Sequence, residues 1–180
     1  EVSSPAAADR YLNDTEATKK RWYYDENGIR WGVTGDIAIQ NEDGSYNILG
    51  RASDSYIDEN GKTAYLFDIE YSLDVNDPVI EWEITAFDTN EGVAVVGQVV
   101  LKNDCKLPVS EVVELLCEKY HLDAIKIYDK FENSDVTGKR DFQKLKNDKS
   151  GYYAPCDDKH LYSLSFENGT IKKAIVGLYT

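Results

Sequence analysis

The sequence has no methionine, two histidines and three cysteines, and no apolar run in it approaches the roughly 18 residues that cross a bilayer. The lack of such a run predicts a protein without a membrane span. Cys105, Cys117 and Cys156 are odd in number and show no Cys-x-x-Cys spacing, which argues against a zinc site and a disulfide framework. We therefore expect no metal site, and we expect His121 and His160 to be surface or packing residues.

Basic residues are also scarce in this chain. Lysine and arginine number 20 against 33 aspartates and glutamates, so the formal net charge is −13. Such a chain has no basic face to replace the counterions of phosphate groups, and we expect no nucleic-acid partner. The first residue is Glu1, and no basic segment followed by an apolar one resembles a signal peptide. These features predict a piece of a longer, cytoplasmic polypeptide.

Turn-forming dipeptides separate short alternating segments along the chain. Each such pattern predicts a β-hairpin, with paired strands at 35–40 and 46–50, 79–87 and 92–101, and 160–166 and 170–178. A polar stretch over 51–66 interrupts these patterns and predicts a boundary between domains.

The clearest helix is predicted to start near Pro108 or Ser110. Its apolar residues recur at helical spacing: Val109, Val112, Val113, Leu116, Cys117 and Tyr120. Shorter helices are predicted after Asn13-Asp14, through 67–73 and over 141–147, with a strand over 124–128. Hairpins that interleave with helices, without strict βαβ alternation, predict an α+β fold: a small antiparallel sheet flanked by helices, ending in a C-terminal hairpin extension.

Two polar groups lie at the ends of the first predicted hairpin. Thr34-Gly35-Asp36 open it, where glycine lets the backbone approach a ligand and an aspartate can accept hydrogen bonds from a ribose diol. Arg51 closes it, and antiparallel pairing would bring the Asp36 carboxylate beside a guanidinium that suits phosphate. Two plainer interpretations stay open: a simple turn before a strand, and a cross-strand ion pair worth under about 1 kcal/mol.

A further candidate is Thr137-Gly138-Lys139, which lies in a loop before the helix predicted at 141–147. A lysine presented in this way can neutralise the charge that builds up when a carboxylate attacks a phosphate. The glycine spacing differs from that of a Walker motif. The alternative interpretation is an ordinary solvated lysine.

Taken in series, these segments resemble the C-terminal portion of the adenylate-forming superfamily, which includes acyl- and aryl-CoA ligases, peptide-synthetase adenylation domains and luciferases. The resemblance covers about residues 2–147 and is carried by segments 11–18, 34–36, 42–44, 49–54, 68–70 and 137–141. It implies that residues 1–52 end a large N-terminal adenylation domain and that 53–149 form its mobile lid domain. Residues 150–180 extend past the usual end of the family.

The resemblance also implies roles for individual residues. Lys139 would be the catalytic lysine that bridges carboxylate and phosphate during adenylation. Ser53 and Asp54 would form the hinge of the lid, although the family usually has aspartate or lysine at the position of Ser53. The implied nucleotide-binding residues are Thr34, Asp36 and Arg51.

By the same resemblance, ATP with Mg²⁺ would be bound mainly by the N-terminal adenylation domain of the same polypeptide, and the substrate would be a small carboxylic acid. The acceptor would be coenzyme A or a carrier pantetheine, reaching a face that includes Ile57, Gly61 and Lys62. We expect a C-terminal fragment of an ATP-dependent carboxylate-adenylating ligase, inactive by itself. Two alternatives stay open: an adenylation domain that loads a carrier protein, and a non-catalytic, lid-like binding module.

Overall fold

The computed structural model describes residues 1–157 and 160–177. The chain divides into two compact units, with the boundary between Ser53 and Asp54. Of the predicted C-terminal extension, residues 158–159 and 178–180 lie outside the described residues.

The first unit contains a short helix and two small two-stranded sheets. Its elements are α1 (Thr15–Arg21), β1 (Trp22–Tyr24), β2 (Arg30–Gly32), β3 (Asp36–Gln40) and β4 (Tyr46–Arg51). β1 pairs with β2 and β3 with β4, both in antiparallel fashion. The helix begins where the sequence predicts it, because the Asp14 carboxylate caps it by accepting a 2.8 Å hydrogen bond from the backbone N–H of Ala17.

The second unit is built on a six-stranded sheet. Its elements are β5 (Ser55–Ile57), β6 (Thr63–Tyr65), α2 (Leu66–Ser72), β7 (Val79–Thr89), β8 (Gly92–Leu101), α3 (Val109–Tyr120), β9 (Ala124–Tyr128), α4 (Phe142–Asn147), β10 (Ser150–Asp157), β11 (His160–Glu167) and β12 (Thr170–Gly177). The strand order is β12-β11-β10-β9-β8-β7, and β5 and β6 form a separate hairpin.

The predicted α+β class is confirmed, with a difference inside the sheet. β8 and β9 run parallel, whereas every other neighbouring pair in the sheet is antiparallel. The helix α3 connects β8 to β9 and returns the chain to the end of the sheet at which β8 starts, so that β9 can run parallel to β8. The sheet is therefore mixed, not purely antiparallel.

Three strand regions escaped the sequence analysis. They are the β1–β2 hairpin, the β5–β6 hairpin within the stretch predicted as a polar boundary, and β10, just after Lys149. Gly151 and Pro155 weaken the strand signal of β10, and the pairing register shifts beside each of them. β10 joins the predicted terminal hairpin, β11–β12, to β9, so the extension continues the sheet.

Each face of the sheet covers a core. On one face α3 buries Val112, Val113 and Leu116 completely. The opposite face holds a second cluster of buried residues: Phe87, Ala94, Val96, Ala124, Tyr152, Ala154, Leu164 and Phe166. The backbone N–H of Asn90, in the β7–β8 turn, donates to the carbonyl oxygen of Gly169 in the β11–β12 turn at 2.6 Å. The sheet thus curls around this second cluster, and the extension closes it.

Within the described part of the chain, no helix has the length and apolar character needed to cross a membrane. The same residues contain no group of three or more His, Cys, Asp or Glu side chains able to hold a metal ion.

Candidate functional site

The β3–β4 hairpin brings Asp36 and Arg51 together. The two residues are cross-strand partners, and Arg51 Nη1 lies 3.0 Å from Asp36 Oδ1. The same Nη1 donates to the carbonyl oxygen of Thr34 at 2.8 Å. The Arg51 side chain is 59% exposed and that of Asp36 is 24% exposed. The pair has the juxtaposition expected from the hairpin.

Gly35 shapes the entrance to this hairpin. Its φ of +77° lies in the left-handed region that favours glycine, and its carbonyl oxygen accepts a 2.8 Å bond from the N–H of Ala52. The Thr34 hydroxyl accepts from the N–H of Asp36 at 3.2 Å. The predicted nucleotide-binding residues Thr34, Asp36 and Arg51 are therefore neighbours on one end of one hairpin.

Lys139 lies in the second unit on an exposed loop that is closed at its base. Asn133 and Arg140 form an isolated antiparallel bridge, and the N–H of Ser134 donates to the carbonyl oxygen of Lys139 at 2.7 Å. Gly138 adopts a φ of +67° and donates its N–H to the carbonyl oxygen of Ser134 at 2.8 Å. Lys139 itself is exposed. The loop thus presents its lysine to solvent from a defined backbone.

The helix after this loop, α4, is joined to β8 and β10 by a polar network that the sequence analysis missed. Gln98 Nε2 donates to the carbonyl oxygen of Leu145 at 2.9 Å and to the hydroxyl of Tyr152 at 2.6 Å. The Tyr152 hydroxyl in turn donates to the carbonyl oxygen of Asp148 at 2.8 Å. A buried glutamine within the apolar pattern of β8 was the available signal, but its partners lie 47 and 54 residues away.

The predicted hinge residues lie at the boundary of the two units. Ser53 is exposed, whereas Asp54 is half-buried and pairs with Lys146 of α4 at 2.7 Å. These two partners are 92 residues apart in the sequence, so no local pattern could have predicted the ion pair. It ties the start of the second unit to the helix that follows the Lys139 loop.

The predicted acceptor face, Ile57, Gly61 and Lys62, lies on the tight β5–β6 turn. The Asp58 carboxylate accepts from the N–H groups of Asn60 and Lys62 at 2.9 and 2.8 Å, and Gly61 has a φ of +75°. The turn borders an open cleft of about 580 Å³. The residues lining this cleft are Tyr56, Ile57, Asp58, Glu59, Asn60, Glu91, Gly92, Val93 and His121. Its lining is acidic.

This fold is that of the C-terminal portion of adenylate-forming ligases. ATP-bound MatB from Rhodopseudomonas palustris matches 76% of this chain with a TM-score of 0.59 and 23% identity, over 27% of its own length. The o-succinylbenzoate CoA synthetase of Bacillus subtilis, with its acyl-adenylate intermediate bound, matches 81% of this chain with a TM-score of 0.59 and 21% identity, over 29% of its length.

Curated relatives point to the same class of enzyme. Bacitracin synthase 2 of Bacillus licheniformis is 30% identical over 117 residues, and an acyl-CoA ligase of Pestalotiopsis microspora is 34% identical over 73 residues. These matches cover 65% and 41% of this chain but 4% and 12% of those proteins. No protein-family model matches the chain. Sequence and fold together show that it resembles the C-terminal portion of adenylate-forming enzymes, as predicted.

Proposed function

We propose that this chain is the C-terminal part of an ATP-dependent ligase that adenylates a carboxylic acid and then transfers the acyl group to a thiol. The observation that carries the proposal is the pairing of Asp36 and Arg51 at the mouth of a hairpin, 3.0 Å apart and with both side chains partly exposed. Asp36 would accept hydrogen bonds from the ribose hydroxyls of ATP, with Thr34 shaping the turn, and Arg51 would contact ribose or phosphate.

Lys139 would serve the first half-reaction. An oxygen of the substrate carboxylate attacks the α-phosphorus of ATP, the bond from that phosphorus to the bridging oxygen breaks, and pyrophosphate leaves. The ammonium group of Lys139 would stabilise the negative charge that develops on the attacking carboxylate and the phosphate. The exposure of Lys139 on a loop with a defined base supports this role. The Mg²⁺ that accompanies ATP would be held mainly by the N-terminal adenylation domain.

In the second half-reaction the acceptor would approach the β5–β6 turn. The thiol sulfur attacks the acyl carbonyl carbon, AMP leaves with the electron pair of the acyl–oxygen bond, and the thiol proton passes to solvent. Ile57, Gly61 and Lys62 would form part of the acceptor face. Ser53 and Asp54 would be the hinge that lets one lid serve both half-reactions.

The direct test is Lys139→Ala in the full-length polypeptide that carries this chain. We expect pyrophosphate release in the presence of ATP and the carboxylic acid to fall at least about 100-fold, the usual cost of removing one preorganised electrostatic contact. Thioester formation from supplied acyl-adenylate should stay within about twofold, because that step does not need the lysine. Lys106→Ala, which alters another exposed lysine of the same unit, is the matched control.

Unchanged adenylation in the Lys139→Ala protein would overturn the proposal and favour a non-catalytic, lid-like binding module. We also expect the chain by itself to release no pyrophosphate from ATP and a carboxylic acid in a malachite-green assay. Turnover by the isolated chain would contradict the assignment of ATP and acid binding to a separate large domain.

The acidic cleft favours a second candidate within the same chemistry, an adenylation domain that loads a carrier protein. Glu59 and Glu91 line the cleft beside the proposed acceptor face, and both are exposed. A carrier pantetheine has one phosphate, whereas coenzyme A has three, so repulsion by the cleft is weaker for the carrier. We expect the double variant Glu59→Lys and Glu91→Lys to lower the KM for coenzyme A. An unaltered KM would remove this reason for preferring a carrier.

A further inference from the structure

Arg140, the residue next to Lys139, is attached to the fold by several contacts of different kinds. Its Nη2 donates to Glu81 Oε2 at 2.6 Å, and its Nη1 donates to the carbonyl oxygen of Trp82 at 2.8 Å. Its guanidinium carbon lies 4.6 Å from the centre of the Phe131 ring. A planar guanidinium can make these contacts at once, whereas a lysine ammonium cannot match the stacking.

These contacts join the Lys139 loop to the core sheet. Glu81 and Trp82 belong to β7, a strand of the six-stranded sheet, and they lie 59 and 58 residues before Arg140. Phe131 is buried and precedes the loop, so the guanidinium contacts β7 and the chain at the other end of the loop together. The backbone bridge between Asn133 and Arg140 closes the same base.

The loop between these anchor points is hydrogen-bonded within itself, since Ser134 Oγ accepts from the N–H groups of Val136 and Thr137 at 3.3 and 3.4 Å. Val136 at its tip is 92% exposed, and residues 135–139 are all exposed. Arg140 lies in an isolated β-bridge and is partly buried. Its side chain contacts the fold, whereas the side chain of the preceding residue, Lys139, is exposed.

We propose that Arg140 is a positioning residue for Lys139: by fastening the loop base to β7, it sets the place and direction from which the lysine ammonium leaves the fold. This inference rests on the proposed adenylation role of Lys139. A lysine on a loose loop would seldom occupy the position that stabilises the charge developing on the α-phosphate. Misplacement by about 1 Å can lower the rate by up to about 100-fold.

The first test is a measurement on this 180-residue chain that requires no enzymatic activity. Native proteolysis with a lysine-specific protease, followed by mass spectrometry of the cut after Lys139, reports how often the loop opens. Arg140→Gln should speed this cut at least about tenfold relative to cuts at other lysines. Glu132→Gln is the matched control, because it breaks the Lys144–Glu132 pair beside the same loop, whose side chains are 57% and 61% exposed.

The second test uses the full-length polypeptide. Arg140→Gln should lower kcat for adenylation by roughly 10- to 100-fold, with the KM for ATP and the thioester step from supplied acyl-adenylate changed less than about twofold. Arg140→Lys should restore only part of the rate, since it keeps the charge and loses the paired donors. Glu83→Gln should leave adenylation unchanged, because Arg140 keeps its bonds to Glu81 and Trp82.

The outcomes separate this inference from the function on which it rests. Loss of adenylation in Lys139→Ala but not in Arg140→Gln would overturn the positioning role and leave the proposed function standing. An Arg140→Gln protein that loses both half-reactions equally and melts at lower temperature would show a purely structural arginine, which also overturns it. If Arg140→Gln fails to fold, Glu81→Ala decides, because it removes the acceptor of the shorter contact and leaves the bond to Trp82: a loss confined to adenylation supports positioning, and wild-type rates contradict it.

Discussion

The two units of this chain differ in how many of their residues are buried. Among residues 1–53 only Gly32 is buried, whereas the second unit buries residues on both faces of its sheet. The candidate nucleotide pair of the first unit depends on the register of a single hairpin. The loop that carries the candidate lysine of the second unit is followed by Arg140, whose contacts span more than 50 residues. The proposed nucleotide pair therefore needs only local pairing, whereas the proposed positioning of the lysine needs a folded core.

The first unit also exposes many large apolar side chains. They are Val2, Tyr11, Leu12, Tyr23, Tyr24, Ile29, Ile39, Tyr46 and Ile48. Two-stranded hairpins are at best marginally stable in water without a surface to pack against. We infer that the first unit needs further protein surface for its stability, and the large domain in our proposal would supply it.

The largest effect should come from expressing the two units separately. A protein of residues 54–180 should unfold cooperatively on heating, because its core is complete. A peptide of residues 1–53 should show no cooperative transition, since it buries only Gly32. Near-ultraviolet circular dichroism against temperature measures both, and a sigmoidal transition in the peptide would refute the contrast between the units.

Tyr152→Ala should destabilise the chain by about 3–5 kcal/mol, because the ring is fully buried among Phe87, Phe166 and their neighbours. Tyr152→Phe keeps the ring but removes the hydroxyl that joins Gln98 to Asp148, and should cost about 1–3 kcal/mol. Tyr46→Ala in the first unit, where the side chain is 63% exposed, should change stability by less than about 0.5 kcal/mol. Urea denaturation gives all three values.

Glu83→Gln should alter how the stability of the second unit depends on pH. Burial, with Glu70 nearby, raises the pKa of Glu83 to about 7, although Arg140, Lys146 and the more distant Asp54 also act on it. A raised carboxyl pKa favours the neutral form in the folded state, so its stabilisation is complete at low pH and is lost as pH rises from about 4.5 to about 7.

The size of that loss is on the order of 3 kcal/mol. The glutamine variant should therefore gain stability relative to the wild type between pH 5 and pH 8 when urea unfolding is compared at both values. A difference that stays constant with pH would show that Glu83 titrates normally.

Asp36→Asn should have the smallest effect on stability, below about 1 kcal/mol, because the Arg51 side chain in the pair is 59% exposed. Its effect on nucleotide binding should be much larger. We expect the KM for ATP of the full-length polypeptide to rise about tenfold or more, the result of losing a charge-assisted hydrogen bond to ribose. Arg21→Gln, which removes a cation of the same unit that donates to the carbonyl oxygen of Val33, is the comparison variant. Equal KM values for Asp36→Asn and wild type would contradict a nucleotide-binding role, and Asp36 would then be only a partner in the cross-strand ion pair with Arg51.

Sequence reasoning succeeded where neighbours along the chain decide the structure. The apolar spacing from Val109 to Tyr120 matches α3, and the turn at Asn168-Gly169 separates β11 from β12. It was less successful for β10, where Gly151 and Pro155 obscure the strand pattern. It also could not show that the terminal strands complete the sheet, because that pairing is formed with β9, whose partner residue Ile125 is distant in sequence.

The amino-acid sequence by itself determined the class of fold, the hairpin that pairs Asp36 with Arg51, and the loop that exposes Lys139. Spacing, turn chemistry and strand register act over a few residues, so they can be read from the chain directly. Only the tertiary structure decided that Arg140 bonds to Glu81, Gln98 to Tyr152 and Lys146 to Asp54, across 59, 54 and 92 residues. Packing of the sheet and its helices brings these distant polar groups together, with Gln98 and Tyr152 fully buried and the two ion pairs partly exposed.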